Sequence, residues 1–232
     1  CDRVQDSYSF RCAPQVHGPM IDVLREARRI VNIEINSATD NPLVFSNNGE
    51  PEVISGGNFH GQILAIISDN MAICIHEIAS ISERRINQVL DPQWSGQKAF
   101  LANDEGLESG LMIVQYVAAA VIAELSLLSN PVSTTNIPVS MGKEDHVSMG
   151  ATASFRTFKA SKLLSSVISS ELICSCQALE NISEKPSESV EKIYNWLRNY
   201  VSKIDGDRST TEDTEIIAKM LLKSDFIEIF RE

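Results

Sequence analysis

Three short polar clusters in the sequence carry side chains that could bind and transform a small molecule. The first spans residues 5–11 (QDSYSFR) and places an amide, a phenol and a guanidinium within seven residues. Arginine is suited to the bidentate capture of a carboxylate, and tyrosine can transfer a proton when its surroundings favour the phenolate. From these residues alone, a surface loop with a solvated arginine is the simpler interpretation.

The second and third clusters each come just before a predicted helix. Residues 55–61 (SGGNFHG) set three glycines around Asn, Phe and His, which is typical of backbone that passes close to a ligand or of a tight helix start. Residues 140–146 (SMGKEDH) combine acidic, basic and cationic groups. Because the dipole at a helix N-terminus stabilises carboxylates, a capping cluster is the simpler interpretation of this third segment.

No standard catalytic or metal-binding motif accompanies these clusters. The sequence has no phosphate-binding glycine loop and no dinucleotide-binding fingerprint, and His76-Glu77 is not followed by the second histidine of a zinc-protease motif. The four histidines lack ligand spacing, and Cys174 and Cys176 form a C-x-C pair on an apolar helix. We therefore predict no metal site and interpret the cysteines as reduced and buried, as is typical of a cytoplasmic protein.

The composition of the 232-residue chain is that of an ordinary globular protein with an excess of acidic residues. Hydrophobic residues make up 43% and charged residues 22%, which excludes disorder throughout. The net charge of −11 repels phosphate backbones, so we expect no nucleic-acid partner. The chain begins with Cys1 and shows no basic, apolar leader, from which we expect a cytoplasmic location and a fragment or processed chain.

The spacing of apolar residues predicts an all-α fold made of long helices. Apolar positions recur at intervals of three and four, which predicts helices over 14–36, 59–90, 109–129 and 147–182, and shorter ones near 187–204 and 210–223. Around 40–58, two short apolar runs flank Asn47-Asn48-Gly49, which predicts a small β-hairpin or an ordered loop. We predict a helical core over 1–184 and short C-terminal helices over 185–232.

The predicted helices over 59–90 and 109–129 are apolar nearly all round, which indicates burial inside an assembly. The second is long enough to span a membrane, but it contains Gln115 and Glu124 and has no basic flank, so a buried bundle helix is the better interpretation. One small bundle cannot cover helices this apolar, so we predict a homo-oligomer with a helical core between subunits and no membrane partner. The run Ser82-Glu83-Arg84-Arg85 is interpreted as an ion-pair patch within or between helices.

Six strings keep their order and spacing along the chain and together resemble a known family. They are QDSYSFRCAPQVHG, NSATDNPLVF, ISGGNFHGQ, ISERR, SGLMIVQYVAAA and EDHVSMG. From about Val4 to Glu180, the chain resembles the C-terminal half of the aromatic amino acid ammonia-lyases, with a weaker similarity at 204–208. The agreement of six separate motifs makes this resemblance specific.

The resemblance implies a nearly all-helical homotetramer whose long helices pack across subunits. It also implies the elimination of ammonia from an amino acid substrate, without a metal or an external cofactor. The electrophile of the family is a methylidene-imidazolone made from the protein's own Ala-Ser-Gly, which lies in the N-terminal half. No Ala-Ser-Gly occurs in these 232 residues. We therefore expect this chain to be a fragment that is inactive without the missing N-terminal half.

Carried over motif by motif, the resemblance assigns roles to five residues. Tyr8 is similar to the tyrosine beside the electrophile and Arg11 to the residue that holds the substrate carboxylate, with Gln5 as a supporting polar contact. Phe59 is similar to an aromatic wall of the pocket, and Glu144 to the carboxylate that faces the substrate side chain. Phenylalanine-type relatives usually have Gln at the position of Glu144, whereas histidine-type relatives have Glu, which accepts a hydrogen bond from an imidazole N–H. The resemblance therefore favours L-histidine as substrate, with urocanate and ammonia as products.

Two alternatives remain open on sequence grounds. One is a tyrosine or phenylalanine ammonia-lyase, or an aminomutase of the same family. The other is a non-catalytic helical assembly module that derives from a lyase. The sequence also departs from the family at Gln62, where Glu is frequent, and at Lys143, where Gln is common. A lysine next to Glu144 alters the electrostatics of that carboxylate.

Overall fold

Long helices dominate the fold, and one small hairpin projects from them. The structure, a computed structural model, describes residues 4–230 without the side chains of residues 224 and 225. The helices are α1 Tyr8–Arg11, α2 Ala13–Glu34, α3 Gln62–Leu90, α4 Pro92–Ser95, α5 Met112–Leu128, α6 Gly150–Leu179, α7 Glu188–Arg198, α8 Thr211–Leu221 and α9 Ser224–Glu228. The strands are β1 Leu43–Asn47 and β2 Glu50–Ile54. This arrangement confirms the predicted all-α fold class and the predicted long helices.

The two longest helices, α3 and α6, run parallel with a constant offset of 86 residues. Near their starts, Ser68 Oγ lies 3.2 Å from Ser154 Oγ, and near their ends Arg85 binds Glu171. Both pairs are separated by 86 positions in sequence. Consequently α3 and α6 begin at the same end of the bundle, and the segments that precede them meet there.

The neighbouring helices run in the opposite direction. On α2, His17 lies near Arg85 at the end of α3, whereas Val31 shares a cavity with Leu64 at its start. On α5, the Leu127 carbonyl oxygen accepts a hydrogen bond from Arg156 of α6, and the Glu124 carboxylate, earlier on α5, lies 2.5 Å from Lys159 Nζ, later on α6. The chain therefore passes back and forth along one bundle axis. As a result, α1 lies at the C-terminal end of α3.

One hydrophobic core joins these helices. It includes, among its fully buried members, Ile75, Ala79 and Ile86 of α3, Val114, Ala118 and Leu125 of α5, Val167, Ile173 and Cys174 of α6, Leu197 of α7 and Ile217 of α8. Removing each large aliphatic side chain from water stabilises the fold by about 1.5–3 kcal/mol. The helices α7 and α8 contribute to the same core as α6, while the predicted division at residue 184 stays a prediction.

Within the described residues 4–230, α3 is the helix long and apolar enough to cross a membrane by length and composition. It packs against α2, α5 and α6, and its buried residues include the carboxylates of Asp69 and Glu83. Such buried acidic groups, together with helices on several sides, are typical of a core helix in a helical bundle.

Large apolar side chains remain exposed on two of the long helices. On α5 they are Ile113, Tyr116, Val117 and Leu127, and on α6 they are Phe155 and Phe158. Several large exposed apolar side chains on one helix are typical of a surface that contacts another chain. It supports the predicted burial of these helices in an assembly, and the oligomer itself stays a prediction.

The hairpin forms where the sequence predicts it. β1 and β2 pair antiparallel, with Asn47 opposite Glu50 and the two residues Asn48 and Gly49 between them. Both turn residues have positive φ, +53° and +88° respectively, as a tight hairpin turn with the twist of its strands requires. Asparagine and glycine tolerate this conformation better than other residues. The Asn48-Gly49 pair is therefore sufficient to predict the hairpin.

The polar, irregular sequence over 1–14 and 92–107 predicts two loops. Residues 1–3 lie outside the described residues, and short helices in the rest of these segments make both predictions partly wrong. In the first, α1 forms over Tyr8–Arg11. In the second, the Asp91 carboxylate accepts a hydrogen bond from the Gln93 N–H at 2.8 Å, and Pro92 occupies the first helical position of α4. An aspartate cap followed by proline starts a helical turn even where no periodic apolar run follows.

We expect the two cysteines on α6 to resist thiol reagents in the folded protein. Burial raises the pKa of Cys176 to about 11 and raises the pKa of the fully buried Cys174 still further. Because the thiolate is the reactive form, both should label at least about 100-fold more slowly at pH 8 than the half-buried Cys12. Mass spectrometry of the labelled positions, before and after unfolding, measures this. Equal labelling of Cys176 and Cys12 in the folded protein would contradict the buried C-x-C pair.

Candidate active site

A cavity of about 480 Å³ lies where α3 and α6 begin. Its lining comes from residues 59–60 of the second cluster, residues 143–146 of the third cluster and the segment 147–152 that follows it. Phe59 lines it with 53% of its surface exposed, and Glu144 lines it from the facing segment. The structure thus brings together two predicted site residues that lie 85 positions apart in the sequence.

Close contact between the two helix starts shapes this cavity. A Cβ on Gly150 would lie 3.3 Å from Ser148 Oγ in its own segment, which is tighter than most real contacts, and 3.5 Å from the Gly61 carbonyl oxygen, which is an ordinary van der Waals distance. Gly61 itself has a φ of +71°, a conformation that other residues adopt only with strain. Glycine at position 61 therefore permits the backbone turn between Phe59 and α3, and this turn lies in contact with the start of α6.

The N-terminal turn of α6 also lines the cavity, through Gly150, Ala151 and Thr152. The first N–H groups of an α-helix have no partner within the helix and carry a partial positive charge. They favour negative charge in this cavity, where the carboxylate of Glu144 lies beside Lys143. A carboxylate that lines a cavity can accept a hydrogen bond from a ligand N–H.

The remaining predicted site residues form a separate exposed group around α1. The guanidinium carbon of Arg11 lies 4.5 Å from the centre of the Tyr8 ring, a cation–π contact that orients both side chains. Tyr8 is 69% exposed, and Arg11 and Gln5 are also exposed. Tyr8 and Arg11 thus offer a phenol and a guanidinium side by side, where they can exchange a proton and bind a carboxylate, with the exposed Gln5 three residues before Tyr8 in the sequence.

The end of α3 holds α1 in place through polar contacts. Ser7 Oγ donates a hydrogen bond to Gln88 Oε1 at 2.9 Å, and Arg85 Nη1 lies 3.5 Å from the Ser9 carbonyl oxygen. Arg85 is itself held by Glu171 of α6 through two parallel N–H to carboxylate contacts. This pair confirms the predicted ion-pair patch in the ISERR segment and shows that it joins α3 to α6.

A histidine close to this ion pair is held neutral. Burial, reinforced by Arg85, lowers the pKa of His17, while the charge of Glu171 partly opposes the shift. Since the folded pKa is lowered, the unfolded chain takes up this proton first as the pH falls below about 6.5. His17 therefore contributes to a loss of stability under acid conditions.

The two groups of site residues lie far apart within one copy of the chain. Ser7 is bonded to Gln88 near the end of α3, whereas Phe59 precedes Gln62 at its start. At 1.5 Å per residue, these two ends of α3 are about 40 Å apart. The chain therefore groups Tyr8 with Arg11 and Phe59 with Glu144, and it does not bring the two groups together by itself.

Sequence reasoning missed a contact between two histidines at the cavity. His60 and His146 were treated as scattered, yet their rings lie 5.3 Å apart between centres. One sequence signal could have revealed this contact: His60 belongs to the second cluster and His146 to the third, and each cluster comes just before a long helix. Because α3 and α6 share a constant offset of 86 residues, His60 and His146 fall at the same level.

The helical core and the exposed site groups define the class of protein to which the chain belongs. The family model of the aromatic amino acid lyases matches residues 1–199, and the chain is a member of that family. The particular relatives are histidine ammonia-lyases. Those of Myxococcus xanthus and Homo sapiens are 41% and 42% identical to this chain over 100% and 99% of its length. The chain spans 45% and 35% of the length of these two curated relatives.

Solved structures of the family show the same fold. The crystal structure of histidine ammonia-lyase from Trypanosoma cruzi matches with a TM-score of 0.92 and 38% identity, over 97% of this chain and 44% of that one. Tyrosine aminomutase from Streptomyces globisporus matches with a TM-score of 0.92 and 33% identity, over 98% of this chain and 43% of that one. Both similarities support the helical arrangement described above.

Proposed function

We propose that this chain is part of a histidine ammonia-lyase that eliminates ammonia from L-histidine to give urocanate. The observation that carries the proposal is the position of Glu144, a carboxylate that shares a cavity with the exposed ring of Phe59. The names of the relatives support it, at 41% to 45% identity. Because the chain spans less than half of those relatives, the activity belongs to a larger polypeptide.

Each exposed side chain has a task that fits this reaction. Arg11 binds the carboxylate of the amino acid through two N–H groups, and Gln5 adds a polar contact nearby. Glu144 accepts a hydrogen bond from the imidazole N–H of the substrate, and Phe59 packs against the ring. Tyr8, oriented by Arg11, transfers a proton at the reacting carbon or nitrogen.

A second copy of the chain completes the site in this proposal. The group around Tyr8 and the group around Glu144 lie at opposite ends of α3. If a two-fold axis pairs the α3 helices of two copies in antiparallel directions, the Tyr8 group of one copy lies beside the Glu144 group of the other. The apolar side chains left exposed on α5 and α6 supply surface for such an assembly. We extend this arrangement to the homotetramer that the resemblance implies.

The residues present fit an electrophile that another part of the polypeptide contributes. The exposed groups are a cation, a phenol, a carboxylate and an aromatic ring, which bind, orient and exchange protons but cannot accept an electron pair from carbon. The protein-derived methylidene-imidazolone would supply that electron sink. Phe59 and Tyr8 are both exposed aromatic residues, and side chains of this type can pack against a planar group.

The decisive experiment compares the complete polypeptide with this chain alone. The complete protein, incubated with L-histidine, should release ammonia and urocanate in equal amounts, followed by ultraviolet absorbance and an ammonia assay. The purified 232-residue chain should give neither product. Urocanate formed by the chain alone, or none formed by the complete protein, would overturn the proposal.

We expect Glu144→Gln in the complete protein to lower kcat/KM for L-histidine about 10- to 100-fold. This range corresponds to the loss of one hydrogen bond between a charged acceptor and the imidazole. Activity on L-tyrosine and L-phenylalanine should be unchanged, since neither side chain has an imidazole N–H. Steady-state kinetics on all three amino acids measures the ratio, and an equal loss on all three would show that Glu144 does not select the substrate.

An aminomutase is the second candidate, because the structures of tyrosine and phenylalanine aminomutases match this chain with TM-scores of 0.92 and 0.90. An aminomutase keeps the nitrogen in its product, so it would consume its substrate without an equal release of ammonia. The ammonia assay above therefore separates the two candidates. For the location we propose the cytoplasm, which the unpaired thiols of the described cysteines support.

A further inference from the structure

We propose that His60 is a positioning residue that fixes Glu144 in the cavity by binding His146. The proposal rests on the proposed function, in which Glu144 faces the substrate side chain. His60 directly follows Phe59, and His146 comes two residues after Glu144. The contact between the two histidines therefore joins the two segments that carry the opposite walls of the cavity.

The geometry assigns the hydrogen in this contact. His60 Nε2 lies 3.1 Å from the His146 carbonyl oxygen and 3.2 Å from His146 Nδ1. A carbonyl oxygen can only accept, so the hydrogen is on His60 Nε2. His146 Nδ1 then faces that N–H with its lone pair, and the two rings stack at an angle of 24°. One N–H group thus holds both the backbone and the ring of His146.

The segment around His146 is held from its other side by Asn136. The amide nitrogen of Asn136 donates to the Asp145 carbonyl oxygen at 2.8 Å, and its oxygen accepts from the Val147 N–H at 2.9 Å. These two bonds bracket the backbone of His146. With Asn136 on one side and His60 on the other, the peptide groups next to Glu144 cannot shift without breaking a hydrogen bond.

The backbone of Glu144 itself is also held by the backbone of Val139. The Val139 N–H donates to the Glu144 carbonyl oxygen at 3.0 Å, and the Glu144 N–H points back to the Val139 carbonyl at 3.4 Å. Otherwise residues 141–146 are exposed and lie outside helices and strands, apart from the short turn Ser140–Gly142. Because this segment has no core of its own, the contact between His60 and His146 restrains the distance between Glu144 and Phe59, together with the packing of Gly61 against Gly150.

Kinetics of two substitutions in the complete protein tests the role of His60. We expect His60→Ala to lower kcat/KM for L-histidine about 10-fold, chiefly by raising KM, because Glu144 then loses its fixed position. His60→Gln should recover most of that loss, since a glutamine amide can donate from nearly the same place as Nε2. A loss of the same size in both variants would overturn the proposal.

A double-mutant cycle separates positioning from a general structural effect. In the Glu144→Gln background, His60→Ala should change kcat/KM less than about 2-fold, because the carboxylate that His60 positions is already gone. Independent and multiplicative losses would show that His60 does not act through Glu144, and would overturn the proposal.

Hydrogen exchange distinguishes this proposal from the proposed function. Amides of residues 143–147 should exchange faster in His60→Ala than in the unchanged protein, while exchange in the middle of α3 stays the same. This readout does not depend on the substrate. If the complete protein fails to act on L-histidine but exchange changes as expected, only the function is wrong. If exchange over 143–147 is unchanged, the positioning role is wrong whatever the activity.

Discussion

In the complete protein, we expect Tyr8→Phe to lower kcat for L-histidine about 1,000-fold, the range of a lost general acid or base. The substitution removes the phenol oxygen and leaves the ring, so Arg11 keeps its position over that ring and KM should change little. Steady-state kinetics measures both constants. A large rise in KM with an unchanged kcat would show that Tyr8 binds the substrate and transfers no proton.

Mixed oligomers test where Tyr8 acts. Tyr8 and Glu144 lie at opposite ends of α3, about 40 Å apart in one copy. If each site takes Tyr8 from one copy and Glu144 from another, co-expression of Tyr8→Phe and Glu144→Gln chains in equal amounts restores about one quarter of the sites. Sites made from a single copy would regain nothing on mixing. Oligomers of each variant alone are the controls.

We expect Glu171→Ala to lower the free energy of unfolding by about 3 kcal/mol, because it leaves the Arg85 guanidinium in a mostly buried position without its partner. Arg85 joins α3 to α6 and also reaches the backbone of Ser9 beside Tyr8. The loss should therefore loosen α1 as well as the helix pair. Chemical denaturation of the variant, followed by circular dichroism, measures the loss.

A surface pair provides the matched control for this prediction. Glu26 binds Arg29 one turn along α2, with both side chains about half exposed. Exposed pairs of this kind contribute little, so Glu26→Ala should leave the denaturation midpoint unchanged. Replacing Arg85 and Glu171 together by Met and Leu should recover most of the stability, because no unpaired charge remains. Equal midpoints for Glu171→Ala and Glu26→Ala would contradict the role of the buried pair.

Local sequence patterns were sufficient to predict the long helices and the hairpin. Apolar residues at intervals of three and four predicted α2, α3, α5 and α6 to within a few residues of their observed bounds. The Asn-Gly turn at Asn48 predicted the hairpin. These features depend on side chains within one or two turns of each other, which the sequence displays directly. The short α1 and α4 were missed because a single helical turn has no periodic pattern.

For the candidate site, the sequence by itself determined which residues are candidates, and only the tertiary structure decided how they are grouped. The resemblance of six motifs to the family selected Tyr8, Arg11, Phe59 and Glu144, and their roles stay predictions. Packing then set the parallel register of α3 and α6, which brings Phe59 to Glu144 and His60 to His146. The antiparallel return of α2 placed Tyr8 at the far end of α3. Such register and direction arise from whole helix faces packing together, so no short stretch of sequence contains them.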